Sequence, residues 1–457
     1  MPTRLGQRII NWKRKRAAIT AAKAKVPKAV TGDWKKILSL RRLWREHLRK
    51  SRRREEIRKI HRDARSNAQA GAYAVITNII NLFRREMGLR YNIAPEGIFV
   101  GAGSTTILND LMTFSTKRRA NEMLFNTAPE EKPYADTIVG DYPWYYMMQV
   151  KAEDRDLKVA TVPRPEATGF NFDPKRFVER IAQEKPKLVY LAAPTNPEGI
   201  PYDLEGIKHV LDRVRQVSPK SIIIYDVMMP DIRHQVVKTQ RTVTGLMKEF
   251  QDLRVVAVNS YSKSKSLALS RVGYGLCVNQ DVLRWLRVST SLPPEELKKG
   301  SLFGQFHVSP LGYEKALKKD MDMQGSRTRI RIEKTIRESH GLLVPYGITP
   351  SKSVSWFTFN KMPEKFRVKN EKARAILQRH GIIPGDNWLV SVPASVLGKI
   401  ITEMYEVEPF KPATDIFGFK EAYGTDIAER YFRIIVDNPR KLTILRKGLA
   451  ALFSPVA

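Results

Sequence analysis

One cysteine in 457 residues, Cys277, leaves no partner for an internal disulfide, and seven scattered histidines without cysteine neighbours offer no zinc spacing. An oxidising compartment is therefore not expected, nor is a metal site. No apolar run approaches the ~20 residues that cross a bilayer, which excludes a helical membrane span. The expected setting is the cytoplasm. Acidic residues are also scarce: 47 Asp and Glu stand against 80 Lys and Arg, for a net charge of +33. The remaining composition, 42% hydrophobic and 28% charged, is that of a chain able to bury a core, and its length suits two or three packed units.

The positive charge is concentrated. Residues 1–60 hold 21 basic and four acidic side chains, a net of +17, which is over half the excess. Within this arm, residues 1–30 contain no acidic residue and carry the Lys13-Arg14-Lys15-Arg16 cluster, a composition that also suits a mitochondrial transit peptide and a matrix location. From Asp33, a plausible N-cap, Ile37, Leu40, Trp44 and Leu48 follow helical spacing among Arg and Lys, so the arm is read as a basic amphipathic helix. Such a segment could grip nucleic acid through phosphates, lie on an anionic surface or dock an acidic protein. A solvated arm is the alternative.

A globular region begins near residues 61–70, with Ala72 to Met87 reading as a helix ended by Gly88. Short apolar runs then alternate with helical stretches: Gly97 to Val100, Lys187 to Ala193, Ser221 to Tyr225, Arg254 to Val258 and Val272 to Val278. Buried strands with crossover helices predict an α/β fold with a mostly parallel sheet. Beyond Arg331 the rhythm changes. Strand candidates Val354 to Phe359 and Tyr431 to Val436, with a closing helix from Arg440 to Leu452, predict a smaller α+β domain. The expected division is 1–60, 61–330 and 331–457.

The segment Ser260-Tyr261-Ser262-Lys263-Ser264-Lys265, continuing to Arg271-Val272-Gly273-Tyr274, follows the strand ending at Val258. It places hydroxyls, lysine and arginine at a strand end, where open α/β sheets bind ligands and where a phosphate dianion needs such donors. The run resembles the cofactor-lysine signature of fold-type I pyridoxal-phosphate enzymes, the class I/II aminotransferases. The resemblance implies pyridoxal 5′-phosphate as cofactor, Lys263 as the residue that forms its Schiff base, and Ser260, Ser262 and Arg271 as its phosphate ligands. Lys265 fits the spacing less well. A lysine suits the task because a desolvated amine can lose its proton and attack an aldehyde.

Other segments extend the resemblance over roughly residues 65–457. Gly101-Ala102-Gly103-Ser104-Thr105 is a glycine-rich turn into a helix, whose amides and the hydroxyls of Ser104 and Thr105 suit a phosphate, with Gly103 at the turn. Pro143-Trp144-Tyr145 is similar to the family's ring-stacking element and nominates Tyr145, with Trp144 as alternate. Pro194-Thr195-Asn196-Pro197-Glu198-Gly199 is similar to its Asn-Pro-x-Gly turn, which implies that Asn196 bonds the cofactor's phenolic oxygen. Asp226 ends an apolar strand, where an isolated carboxylate is costly, and the resemblance makes it the partner of the pyridinium nitrogen. Arg433, in the apolar run Tyr431 to Val436, becomes the fork for a substrate carboxylate. Gly381-Ile382-Ile383-Pro384-Gly385 matches a turn of the family's small domain.

Two departures stand out: Met229 occupies the place where class I/II members usually carry tyrosine, and Leu269 a place often taken by glycine. The resemblance implies a homodimeric aminotransferase that moves an amino group between an amino acid and a 2-oxo acid, with Lys263 and Asp226 as its catalytic residues. A lyase or cyclase on the same fold is a second reading, prompted by Met229. A ligand-sensing regulator with a DNA-binding arm is a third. It is disfavoured because 60 residues with one basic helix lack the apolar pattern of a winged helix-turn-helix.

Overall fold

A computed structural model describes residues 51–63, 71–116, 122–129, 131–145, 147–227, 236–261, 271–290, 310–318, 326–350, 357–416, 419–435 and 439–456. The chain divides into two compact units, Met1–Lys59 and Ile60–Ala457. Of the first unit, residues 51–59 are described and are helical. The expected helix from Asp33 to Leu48 lies outside the described residues.

The second unit is built on a seven-stranded sheet of β1 (Ile98–Ala102), β2 (Ala135–Tyr142), β3 (Lys158–Pro163), β4 (Pro186–Ala192), β5 (Ile222–Asp226), β6 (Arg254–Ser260) and β7 (Val272–Cys277), in the order β1-β7-β6-β5-β4-β2-β3. Only β7 opposes the others, pairing antiparallel with both β1 and β6. The expected α/β class and mostly parallel sheet are thus found. Buried side chains along the whole of β4 and β5 explain why these strands read as unbroken apolar runs. Crossover helices such as Pro174–Glu184 and Leu204–Val217 start at Asp173 and Asp203, whose carboxylates accept from the first free backbone N–H groups.

Two of the expectations change in detail. The helix expected over Ala72 to Met87 runs from Gly71 to Tyr91, past Gly88. Gly88 serves packing rather than termination: a Cβ there would lie 2.7 Å from the carbonyl of Ile93, whose N–H closes back on the Gly88 carbonyl at 3.1 Å. β2 and β3 were not expected from sequence, and they interrupt apolar runs with Thr137, Asp141 and Lys158. In the C-terminal part, β8 (Thr349–Pro350), β9 (Phe357–Lys361), β12 (Lys411–Pro412) and β13 (Tyr431–Ile435) form one sheet, and β10 (Phe366–Val368), β11 (Leu389–Val390) and β14 (Phe453–Ser454) another. β9 covers the described end of the Val354 to Phe359 candidate, whose first residues lie outside the described set.

Separate cores lie under these layers. One gathers Leu188, Tyr190, Ile222, Ile224 and Val256 beneath the large sheet, and another gathers Phe366, Leu397, Ile401, Phe432 and Leu449. A third, aromatic cluster joins Phe170 and Ile200 to Phe359, Phe419 and Tyr431, with Phe359 stacked on Tyr431 at 5.2 Å. That cluster seats β13 against the loop after β4.

Candidate active site

The register of the large sheet levels its carboxyl ends. Ala192 pairs with Asp226 and Asp226 with Val258, while Gly273, near the start of the reversed β7, faces Ser260 on one side and Gly101 on the other. Residues that were far apart in sequence thus share one edge.

At one end of that edge β1 turns through Gly103, at φ 90°, into the helix Ser104–Ser115. Arg271 lies against the turn: a Cβ on Gly103 would sit 2.6 Å from Nη2 of Arg271. Gly273 must also lack a side chain, since a Cβ there would fall 2.2 Å from the Gly103 carbonyl carbon and 2.6 Å from the Ser104 nitrogen. The buried hydroxyl of Tyr313 ties the two strands, accepting from the Gly101 N–H at 3.1 Å and lying 2.8 Å from the Gly101 carbonyl and 2.5 Å from that of Gly273. Arg271 itself adopts φ 47°. Ser104 and Ser260 are buried beside this corner and Thr105 is half-buried. A guanidinium facing a helix N-terminus and hydroxyls is a site for an anion.

In the middle of the edge, Asp226 is 6% exposed and accepts a 2.8 Å hydrogen bond from the Tyr190 hydroxyl on β4. Burial, and then the charge of Asp226, hold the Tyr190 phenol well above its usual range, so it remains a donor. Trp144 is a core residue: it packs edge-on against Tyr190 at 5.7 Å and over Gly140, where a Cβ would come within 2.4 Å of its ring. Tyr145 lies half-buried at the margin of the same cluster, which favours it over Trp144 as the ring open to a ligand.

At the other end, Arg433 of β13 donates from Nη1 to Oδ1 of Asn196 at 3.3 Å, a contact spanning 237 positions. Burial lowers the Arg433 pKa while the charge of Glu198 opposes that shift. Beneath the Asn196 turn, Arg164 is 2% exposed and pairs with Asp141 and, at 2.6 Å, with Glu198. Burial alone would lower the Arg164 pKa, but the two carboxylates hold it well above the usual value. One guanidinium cannot balance two buried carboxylates fully, and burial pushes the Glu198 carboxyl up.

Gly103, Ser104, Thr105, Tyr145, Asn196, Asp226, Ser260, Arg271 and Arg433 are therefore all seen, on the sheet edge or against it. Ser262, Lys263 and Lys265, with Met229 and Leu269, lie outside the described residues. Sequence reasoning missed Tyr190, Asp141, Arg164, Glu198 and Tyr313 as parts of this region. Arg164, flanked by Pro163 and Pro165 after an alternating segment, was the most readable of them. Among the described residues no group of His, Cys, Asp and Glu could hold a metal ion, and no helix is long and apolar enough to cross a membrane.

An α/β sheet that sets an arginine against a helix N-terminus, a buried carboxylate and a second arginine along one edge is an arrangement able to hold anions. The sequence model of aminotransferase class I and II matches residues 32–386, and the chain belongs to that family. The family's cofactor is pyridoxal phosphate. A histidinol-phosphate aminotransferase from Caldanaerobacter subterraneus subsp. tengcongensis is 25% identical over 208 residues, covering 46% of this chain and 50% of the relative. The chain thus spans about half the length of the curated relatives it matches. Among solved structures, a decarboxylase from Sulfurospirillum multivorans superposes with a TM-score of 0.56 at 18% identity, covering 81% of this chain and 85% of the other. The histidinol-phosphate aminotransferase from Sinorhizobium meliloti, in complex with pyridoxal-5′-phosphate, does so with a TM-score of 0.54 at 16% identity, covering 81% of each. These structures share the fold.

Proposed function

We propose that the protein is a pyridoxal-phosphate-dependent aminotransferase that moves an amino group between an amino acid and a 2-oxo acid. The observation that carries the reading is the Arg433–Asn196 contact at 3.3 Å, which brings the expected carboxylate fork to the expected cofactor loop. The described residues fit the group. The corner of Gly103, Ser104 and Thr105, closed by Arg271, offers a cation, amides and hydroxyls to a phosphate, and Ser260 and Ser262 would add hydroxyls. Tyr145 would stack on the ring, and Asn196 would donate to its phenolic oxygen.

When bound, pyridoxal phosphate supplies an aldehyde that takes up an amine and a ring that accepts electrons. Lys263 would hold the cofactor covalently and, once displaced by the substrate amine, carry a proton to and from the substrate Cα. Asp226, kept in place by Tyr190, would hold a proton at the ring nitrogen. Arg433 would grip the substrate carboxylate through two parallel hydrogen bonds and so orient the Cα–H bond. In this reading residues 61–330 form the cofactor domain and 331–457 the smaller domain. The molecule works as a homodimer in the cytoplasm, or in the mitochondrial matrix if residues 1–30 are a transit peptide, and the basic arm engages nucleic acid or another anionic surface.

The test is the visible spectrum of the purified protein before and after adding single amino acids. Conversion to the aminated cofactor, with release of the matching 2-oxo acid, is the expected result. Release of carbon dioxide or ammonia without that conversion would instead establish the lyase reading that Met229 favours. A protein whose spectrum shows no cofactor and takes none up would overturn both.

A further inference from the structure

Arg164 touches neither the anion corner nor the outer face of the site, yet its contacts reach the two loops that carry Tyr145 and Asn196. It follows β3 directly, and its backbone N–H donates to the Tyr142 carbonyl at 3.1 Å. Nη1 meets the Asp141 carboxylate near the end of β2. Nη2 donates to the Pro143 carbonyl at 2.7 Å, two residues before Tyr145, and to Oε2 of Glu198 at 2.6 Å, two residues after Asn196. The Asn196 turn closes on itself, with Thr195 and Ile200 exchanging bonds of 2.8 and 3.0 Å, and Glu198 ties that closed turn to the sheet.

Stability alone does not account for three buried charges. Desolvating such a set costs several kcal/mol per ion, and well-packed apolar residues of similar volume are often as stable or more so. An apolar cluster, however, would not fix the Asn196 turn in direction as a forked guanidinium does. Resting on the reading above, we propose that Arg164, with Asp141 and Glu198, is a positioning clamp that holds Asn196, and through it Arg433, where a substrate carboxylate is gripped. Glu198 serves twice, because its charge also acts on Arg433.

The test compares two probes on the cofactor-loaded full chain. Aminooxyacetate and methoxyamine both react with the cofactor aldehyde, but only the first carries a carboxylate. Their ratio of apparent affinities, read from the visible spectrum, measures the grip independently of the natural substrate. Wild type should prefer aminooxyacetate, and Arg433→Ala should lose that preference. Arg164→Lys, and the triple apolar variant Asp141→Leu/Arg164→Met/Glu198→Leu, should each lower the preference roughly tenfold or more, the scale of a misplaced charge-assisted hydrogen bond. Both should react with methoxyamine within about twofold of wild type, on the same tenfold-per-1.4-kcal/mol scale. The triple variant should melt no lower than wild type.

A preserved preference in either variant overturns the clamp, as does a fall in methoxyamine reactivity equal to that in aminooxyacetate reactivity. Should the triple variant fail to fold, Arg164→Lys alone decides. A wild-type protein that reacts with neither probe overturns the cofactor reading and the clamp with it, whereas one that reacts equally with both overturns the clamp while leaving the cofactor in place.

Discussion

Tyr190 and Asp226 show how one hydroxyl can set the work of a carboxylate. A donated hydrogen bond is stronger to a charged acceptor, so the 2.8 Å contact from Tyr190 favours the ionised carboxylate, the form that the proposed pairing with a protonated ring requires. Tyr190→Phe removes only that oxygen and should weaken pyridoxal phosphate binding about tenfold, as hydrogen bonds to charged groups are worth ~1.5–3 kcal/mol. Titrating the apoprotein with cofactor would show it, and an unchanged Kd would argue against the role. Cys277 illustrates the opposite use of burial. Enclosed at the end of β7, its thiol is pushed up to about 12 from 9.0. In the native protein it should react with an aromatic disulfide about a thousandfold more slowly than in the denatured chain, since thiolate is the reactive form. Because the folded value is raised, its contribution to stability is complete below pH 9 and is lost as pH rises towards about 12. Cys277→Val should therefore flatten part of the alkaline fall in stability.

Elements were legible where a single physical demand ruled them. Strands β4 to β7 are buried almost throughout and announce themselves as short, mostly apolar runs. β2 and β3 do not, because β3 is an edge strand and β2 carries Asp141, whose burial makes sense only with Arg164 in place. The same limit applies to the site. Asn196, Asp226, Arg271 and Arg433 belong to short motifs, whereas Tyr190 and Arg164 derive their meaning from residues on other strands. The glycines lie between these cases. The spacing marks Gly103 and Gly273 as a pair of motifs, and the fold shows that one needs the other absent of a side chain. Gly273→Ala should cost about 1–3 kcal/mol from overpacking and also weaken cofactor binding, because the added methyl strikes the anion turn. Gly275→Ala, whose methyl would fall 1.9 Å from the Phe99 ring, should lower the melting temperature without that selective loss. Comparing melting and cofactor affinity in both variants checks the distinction.

Over the whole molecule, charge and fold are distributed separately. Residues 1–60 carry +17 of the +33, while Ile60–Ala457 is a compact unit with its own cores. Deleting residues 1–59 should leave the cofactor spectrum intact and remove salt-sensitive retention on a polyanion such as heparin. In the intact chain the log–log salt slope should lie near −0.9 for each duplex phosphate neutralised. Retention that survives the deletion would assign binding to the remaining +16.

The contact between Asn196 and Arg433 also orders events in time. Every group of the sheet edge, from Gly103 to Arg271, is contributed before Arg433 enters the chain, and joining positions 237 residues apart is slow compared with local pairing. A polypeptide interrupted between residues 290 and 430 would carry the proposed cofactor residues without the proposed carboxylate fork. On the proposed reading, the grip on a carboxylate is added to the chain after every group proposed to hold the cofactor.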